Sequence, residues 1–223
     1  MTPIPAATVI VLRPSQDLPE ILLLHRHPDL TVQGNVWVFP GGRLEPDDGP
    51  SDGTLRAMRA CAVREAHEEA GLRLMPEELQ PMSRWITPEA LPKRFDTWFF
   101  IAVTDPSTPV CIDQREIVDY RWYTARAALE AHHAGRIVVS PPGFVLLSQL
   151  AEMGSLGRIR ARVGAAPPPC YRPRLFHLPD GACIVYDQDA AYESGDLIAS
   201  GIRDRLWMCA DGWRYETGPE ARW

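Results

Sequence analysis

Short apolar runs separated by turn-forming residues predict a series of β-strands in the first half of the chain. The runs 6–14 (AATVIVLRP) and 20–27 (EILLLHRH) are rich in β-branched residues and leucine, and the QDLP segment between them is typical of a turn. They predict a β-hairpin or two neighbouring strands. Further apolar runs predict a third strand that ends at Pro40, a buried strand over 96–104 and another over 119–126.

Helical periodicity follows in three segments. Apolar residues recur with a helical period from Thr54 to Ala70, and Gly71 comes next, where a helix commonly ends in the left-handed conformation. A short helix is predicted around 126–134. The segment 141–154 begins with two prolines and ends at a glycine, which is the order in which these residues flank helices.

The chain changes in character towards its carboxyl end. Residues 164–174 are rich in proline and predict a joint between two parts of the chain. Two β-hairpins are predicted beyond it, with turns at 179–181 (PDG) and 210–213 (ADGW), because apolar residues alternate on both sides of each turn. We therefore predict one domain over 1–160 and a small β extension over 161–223. The extension either packs on the domain or lies at a homodimer interface.

The helix predicted over 54–70 gathers negative charge on one side. On a helical wheel Glu65, Glu68 and Glu69 lie beside the apolar arc, and their spacings of three and four residues make them direct neighbours. Three arginines of the helix fall largely outside this acidic arc: Arg56, Arg59 and Arg64. One interpretation is a solvated acidic face. The other is a site for Mg²⁺ or Mn²⁺, because these cations prefer oxygen ligands and commonly retain substrate phosphates.

Two adjacent glycines, Gly41 and Gly42, follow the third predicted strand. Glycine lets the backbone approach a ligand closely. Four acidic residues come after the glycines and before the helix. The combination of two glycines, a run of acids and a helix that reads R-E-x-x-E-E-x-G is far more specific than any of its parts.

In these residues the chain resembles the Nudix hydrolases, whose signature reads G-x5-E-x7-R-E-U-x-E-E-x-G-U, where U is apolar. The second half of the signature matches throughout 64–72. In the first half, Asp48 stands where the pattern has Glu, and 15 residues instead of 7 separate it from Arg64. The chain thus carries an insertion of eight residues that includes GPSDG, and Asp48 is a candidate substitute for the first glutamate.

The resemblance extends beyond the signature. The segments 87–100 and 115–129 are similar to the branch that includes the peroxisomal coenzyme A diphosphatase, so that the similarity covers about 6–155. It implies an α/β fold in which an α/β/α sandwich surrounds a mixed sheet, with the small β extension added. The implied reaction is hydrolysis of a nucleoside diphosphate linked to another moiety.

The resemblance also implies roles for individual residues. Glu65 and Glu69 correspond to ligands of Mg²⁺ or Mn²⁺, and Glu68 corresponds to a further ligand or to the group that activates water. Arg64 corresponds to the residue that orients the glutamates. Glu116 resembles a downstream loop acid that some members use as ligand or base. Arg64, Glu68 and Glu116 are therefore the catalytic candidates.

The substrate is narrowed by a second motif. The coenzyme A branch of small bacterial Nudix enzymes has the added signature L-L-T-x-R-[SA]-x3-R-x3-G-x3-F-P-G-G. This chain retains Arg26 and FPGG but has His27, Thr31 and Asn35 at three of the other positions. Coenzyme A or an acyl-coenzyme A is the leading substrate, and the alternatives are ADP-ribose, dinucleotides and dinucleoside polyphosphates.

The candidates for binding the substrate are Gly41, Gly42, Arg26, Arg43 and Arg94. The planar fork of a guanidinium matches the geometry of a phosphate, although each arginine is equally well explained as a surface residue. The paired His132 and His133 are interpreted as a solvated helix end.

Composition excludes several classes of protein. The 23 basic and 29 acidic residues give a net charge of −6, which argues against a general binder of nucleic acids or membrane surfaces. No apolar run approaches the roughly 20 residues of a membrane-spanning helix. The five scattered cysteines and the lack of a signal-like segment predict a cytoplasmic protein.

The intact R-E-x-x-E-E favours an enzyme over a Nudix module that binds a nucleotide without hydrolysing it.

Overall fold

A mixed β-sheet forms the centre of the protein. The computed structural model describes residues 2–30, 34–50 and 53–218. Within them, the main sheet contains β1 (Ile4–Arg13), β2 (Glu20–Arg26), β3 (Trp37–Val38), β4 (Gly41–Arg43), β5 (Gln80–Ile86), β6 (Phe95–Val103), β7 (Ile117–Thr124) and β8 (Cys170–Tyr171). The helices are α1 (Leu55–Ala70), α2 (Ala125–His133), α3 (Pro141–Met153) and α4 (Leu156–Ala165). A second sheet contains β9 (Arg174–Leu178), β10 (Gly181–Val185), β11 (Asp204–Cys209) and β12 (Gly212–Thr217).

The central strand β1 explains why helices cover both faces of the main sheet. It pairs in parallel with β6 and antiparallel with β2 and β4. Successive side chains of a strand point to opposite faces. Accordingly, Val9 and Val11 pack in the cluster that contains α1, whereas Ile10 and Leu12 pack in the cluster that contains α2, α3 and α4. The predicted α/β/α sandwich around a mixed sheet is confirmed.

Most of the predicted elements occur where the sequence placed them. The Thr54 hydroxyl accepts a hydrogen bond from the Ala57 N–H at the start of α1, and Gly71 ends that helix with a φ of 69°. The third strand is shorter than predicted. It ends at Val38, and the glycines after Pro40 belong to the separate strand β4, which pairs with β1.

Among the strands and α-helices of the described residues, β5, α4 and β8 were not predicted from the sequence. β5 contains Pro81 and shows a register irregularity beside it, so its residues do not alternate regularly. β8 is only two residues long and adds to the main sheet by parallel pairing with β5. None of the helices within 2–30, 34–50 and 53–218 combines the length and the hydropathy that a bilayer crossing requires.

The two predicted hairpins form the second sheet, which we call the C-terminal sheet (β9–β12). One face, which carries Leu175, Ile184 and Leu206, packs into the same apolar cluster as α3. The opposite face, with Phe176 and Val185, is covered by the connection between β10 and β11. The sheet thus packs on the domain, which is one of the two predicted alternatives. The division at residue 160 falls inside α4 and stays a prediction, as do the homodimer and the cytoplasmic location.

The histidines at the end of α2 belong to this contact. The His132 ring lies 4.7 Å from the Trp213 ring between centroids, and His133 Nε2 lies 2.7 Å from the Trp213 carbonyl oxygen. Their interpretation as a solvated helix end holds for the exposed His133, whereas His132 is partly buried against Trp213, a contact that the local sequence does not show.

Asp204 is the most deeply buried carboxyl group of the C-terminal sheet, with 1% of its surface exposed. Its Oδ1 accepts a hydrogen bond of 2.7 Å from the Tyr215 hydroxyl, and its Oδ2 has no hydrogen-bond partner. Burial raises the pKa of Asp204 from 3.8 to about 7. The protonated acid is therefore favoured in the folded protein over a wide range of pH.

This raised pKa predicts a pH-dependent stability. The folded protein binds the Asp204 proton more tightly than the unfolded chain does, so the stabilisation is complete below about pH 4 and is lost as the pH rises through about 7. We expect wild type to lose free energy of unfolding, relative to Asp204→Asn, between pH 4.5 and 7.5. Urea denaturation at both pH values measures this difference, with the exposed Asp17→Asn as the control. An equal difference between wild type and Asp204→Asn at the two pH values contradicts the assignment.

Candidate active site

The acidic arc of α1 lies against the strand β4. The helix packs on the sheet through Met58, Ala62 and Ala66, which places the neighbouring arc with the glutamates beside the two glycines. Glu69 is buried, with 5% of its surface exposed, and its Oε2 accepts a hydrogen bond of 2.9 Å from the Gly41 N–H. The three glutamates thus range from the buried Glu69 to the exposed Glu68.

Other parts of the chain approach Gly41 and Gly42 closely, the backbone of Ala7 and Thr8 at Gly41 and the Glu65 carboxylate at Gly42. A Cβ on Gly41 would lie 2.5 Å from Thr8 Oγ1. A Cβ on Gly42 would lie 2.2 Å from Glu65 Oε1. Both glycines also line the cavity described below. The contacts that the structure shows are with the protein itself, and the predicted contact with substrate stays a prediction.

Arg64 connects three acidic groups. Its Nε and Nη2 donate to the two carboxylate oxygens of Asp48, each at 2.9 Å. Its Nη1 donates to Glu65 Oε1 at 2.9 Å and to Glu68 Oε2 at 2.8 Å. The assignment of Arg64 to a position outside the acidic arc was wrong, because its long side chain reaches over the arc and its guanidinium carries five donors.

Asp48 reaches Arg64 in spite of the insertion between them. It ends a short 3-10 helix at Pro46–Asp48, and its Oδ2 also accepts from the Glu45 N–H at 2.8 Å. Burial acts to raise the pKa of Asp48, but the bonds with Arg64 outweigh it and hold the pKa below its usual value. Asp48 is thus an ionised partner that fixes Arg64. Of the inserted GPSDG, residues 51–52 lie outside the described residues, as does Thr31 of the coenzyme A motif.

Arg26 lies between two further acids. Its Nη1 is 3.3 Å from Glu69 Oε1, and its Nη2 is 3.4 Å from Glu116 Oε2. The Arg26 Nε is buried without a hydrogen-bond partner. Arg26 therefore joins the loop acid Glu116 to the glutamates of α1, and the role of Glu116 as ligand or base stays a prediction.

Burial and mutual repulsion act together on these acids. The pKa of Glu69 is raised to about 8, mainly by burial and in part by the neighbouring Glu65 and Glu116, against the Gly41 hydrogen bond and the charge of Arg26. Burial also raises the pKa of Glu65, with Glu68 and Glu116 contributing. Ionised carboxylates at this density are costly unless cations lie among them.

The chemistry of this donor set fits a hard divalent cation. Glu65, Glu68, Glu69 and Glu116 offer only carboxylate oxygens, which are the ligands that Mg²⁺ and Mn²⁺ prefer. Within residues 2–30, 34–50 and 53–218, no three acidic, histidine or cysteine side chains are arranged as they stand to hold one metal ion. Arg26 and Arg64 pair with one oxygen of each of these carboxylates instead, so the carboxylates would have to turn to hold a cation.

A cavity of about 1260 Å³ opens beside the glutamates. Arg26 and Arg43 line it, and their predicted contact with phosphate stays a prediction. Arg94 is not among its described lining residues, and its Nε donates to the Thr87 carbonyl oxygen at 3.0 Å. Lys93 lines the cavity next to it in the chain. The sequence did not predict Lys93 as a lining residue. Lys93 and Arg94 lie in a loop without a predicted element, so the pattern does not show which of the two side chains faces the cavity.

The approach of Gly42 to Glu65 makes a testable prediction. We expect Gly42→Ala to lower turnover at least tenfold, because the added Cβ displaces the Glu65 carboxylate from its place beside β4. Gly157→Ala is the matched control, since a Cβ there meets nothing within 4 Å. Initial rates of diphosphate hydrolysis measure both variants. Equal rates in wild type and Gly42→Ala contradict a fixed position for Glu65.

Two acyl-coenzyme A diphosphatases are among the known proteins that are similar to the chain. That of Xenopus laevis is 24% identical, with 63% of this chain and 62% of the relative covered. The human protein is 28% identical, with 50% of this chain and 45% of the relative covered. The chain thus spans less than two thirds of the length of either relative.

The fold and the family of the chain are shown by a solved structure and a family model. A NUDIX hydrolase from Alicyclobacillus acidocaldarius superimposes with a TM-score of 0.65 at 21% identity, covering 75% of this chain and 99% of that one, and it shows the same fold. The NUDIX domain model matches residues 2–141. The predicted family is confirmed, as is the predicted similarity to the branch of coenzyme A diphosphatases. The chain belongs to the NUDIX domain family.

Proposed function

We propose that the protein hydrolyses the diphosphate bond of a nucleoside diphosphate linked to another moiety, with coenzyme A or an acyl-coenzyme A as substrate and Mg²⁺ or Mn²⁺ as cofactor. The observation that carries the proposal is the convergence of Glu65, Glu68, Glu69 and Glu116 at the edge of a cavity. The similarity to two acyl-coenzyme A diphosphatases supports the choice of substrate.

Glu65 and Glu69 would hold the cation together with Glu68, since these three share the acidic arc of α1. A bound cation would supply the positive charge that an anionic diphosphate needs at this acidic site and would lower the pKa of a water molecule there. Glu69 is oriented for this task by the Gly41 N–H, and Glu65 by Arg64.

The other charged residues of the site position the glutamates, accept a proton or bind the phosphates. Asp48 fixes Arg64, which keeps the arc of glutamates in place when its carboxylates turn towards the cation. Glu116, which is largely exposed, accepts a proton from the attacking water, with Glu68 as the alternative acceptor if it does not hold the cation. Arg43 and Lys93 line the cavity with positive charge and bind the phosphates.

A panel assay tests the proposal. The protein is incubated with Mg²⁺ or Mn²⁺ and with coenzyme A, acyl-coenzyme A, ADP-ribose, NADH or a dinucleoside polyphosphate, and the products are identified by mass. We expect coenzyme A or its acyl forms to release an adenosine bisphosphate and a phosphopantetheine product. If ADP-ribose or a dinucleotide is hydrolysed faster than coenzyme A and its acyl forms, the assignment of coenzyme A or acyl-coenzyme A as substrate is wrong. No cleavage of any of them favours a module that binds a nucleotide without hydrolysing it.

A further inference from the structure

The cavity beside the glutamates extends to the C-terminal sheet. α1 packs on one face of the main sheet, and the C-terminal sheet packs with α3 on the other. The same cavity is nevertheless lined by Glu65 and Glu69 of α1 and by residues of the C-terminal sheet. It therefore passes from the acidic arc to the far side of the main sheet. The part of the C-terminal sheet that lines it consists of Leu175, Ile184 and Met208, with Pro173 and Tyr186 beside them.

The strand register explains why these side chains share one face. Leu175 and Ile184 are directly paired on β9 and β10, and Ala182 pairs with Met208 on β11. Side chains that alternate with them, such as Phe176 and Cys183, belong to the cluster on the opposite face. The face towards the cavity is consequently apolar across three strands.

The charges that line the cavity come from other parts of the chain. Basic lining residues lie on β2, β4, α1 and the loops before β6 and β7: Arg26, Arg43, Arg64, Lys93 and Arg115. None of the described lining residues that the C-terminal sheet and the segment before it contribute is charged. From the domain, Trp85, Phe99 and Leu147 add apolar surface. The cavity therefore has a charged region at α1 and an apolar region at the C-terminal sheet.

Its size exceeds what a nucleotide alone needs. Small-molecule pockets usually enclose about 300–1,000 Å³. At about 1260 Å³, this cavity has room for a second, apolar part of a ligand beside the group held at α1. Free coenzyme A, ADP-ribose and dinucleotides have no long aliphatic chain that would match a wall of leucine, isoleucine and methionine.

We propose that the C-terminal sheet binds the acyl chain of a thioester substrate whose diphosphate lies at the acidic arc of α1. This proposal rests on the proposed function for the position of the diphosphate. It assigns to Leu175, Ile184 and Met208 the selection of acylated over free coenzyme A. The extension is then a part of the substrate site.

Binding of S-acyl-pantetheines tests this assignment without a diphosphate or a metal. Calorimetry with acyl chains of increasing length measures the affinity of the full chain for each compound. We expect the affinity to rise about fourfold with each methylene that becomes buried, until the wall is filled. An affinity that does not change with chain length overturns the proposal.

Variants on the two faces of β9 locate the site. Leu175→Gln is expected to weaken binding of long acyl chains about tenfold or more and to leave acetyl-pantetheine unaffected, because a polar amide replaces apolar contact area. Leu178→Ala is the control, since Leu178 packs on the opposite face of the same sheet. Met208→Gln is a second variant on the cavity face if Leu175→Gln does not fold. Equal effects of the cavity-face and control variants overturn the proposal.

Hydrolysis assays separate this proposal from the proposed function. If coenzyme A is cleaved but chain length affects neither KM nor the binding of acyl-pantetheines, the acyl site is wrong and the diphosphatase stands. If acyl-pantetheines bind with the expected dependence and no diphosphate is cleaved, the acyl site stands and the diphosphatase is wrong.

Discussion

Replacing Glu69 with glutamine is expected to lower turnover by roughly 10²-fold or more while the protein stays folded. Glutamine has nearly the shape of glutamate, and its carbonyl oxygen can still accept the Gly41 N–H. It carries no negative charge for a cation, however, and its amide presents a donor to Arg26, which is itself only a donor. The loss therefore falls on the metal site. Steady-state kinetics with coenzyme A and Mg²⁺ measure it, and circular dichroism checks the fold.

The matched control is Glu130→Gln, on an exposed position of α2. It changes the net charge by the same amount and is expected to retain wild-type turnover. Glu68→Gln is expected to lower turnover in the same direction as Glu69→Gln. Unchanged activity in both Glu68→Gln and Glu69→Gln removes the assignment of this helix to the active site.

The second large effect is expected on stability. Arg205 and Asp189 are both buried, with 1% and 4% of their surfaces exposed, and they form a two-pronged ion pair through Arg205 Nε and Nη2. Asp189 also accepts the N–H groups of Ala191 and Asp204. We expect Asp189→Ala to lower the free energy of unfolding by about 3–5 kcal/mol, because it leaves the Arg205 guanidinium buried without its counter-charge. Chemical denaturation measures the change.

Asp17→Ala serves as the control for this variant, since Asp17 is exposed and a surface substitution usually changes stability by less than about 0.5 kcal/mol. Asp189 lies in the connection between β10 and β11, so its loss should loosen the cover of the C-terminal sheet. A change below about 1 kcal/mol in Asp189→Ala would show that the pair does not hold this connection.

The sequence predicted the acidic helix well because its information is local. Helical periodicity and the residues that flank α1 define its ends, and neighbours three and four residues apart must share a face. The proximity of Glu65, Glu68 and Glu69 follows directly. The strand pattern likewise defined the central strands, because strands buried on both faces are almost continuously apolar.

Long-range contacts were beyond the reach of such patterns. Nothing in the spacing of Arg64 and Asp48 shows that a loop with an insertion folds back to give a two-pronged bond. Arg26 forms ion pairs with both Glu69 and Glu116. These contacts likewise depend on how β2 and the loop before β7 meet α1. The apolar face of the C-terminal sheet becomes visible only when the register of its strands is known.

Titration with Mn²⁺ measures whether the acidic arc of α1 is a metal site. The electron paramagnetic resonance signal of free Mn²⁺ is followed while the ion is titrated with wild type, Glu69→Gln and Glu130→Gln. We predict that wild type and Glu130→Gln bind Mn²⁺ alike and that Glu69→Gln binds it at least tenfold more weakly. Equal affinity of wild type and Glu69→Gln for Mn²⁺ would show that Glu69 is not part of a metal site.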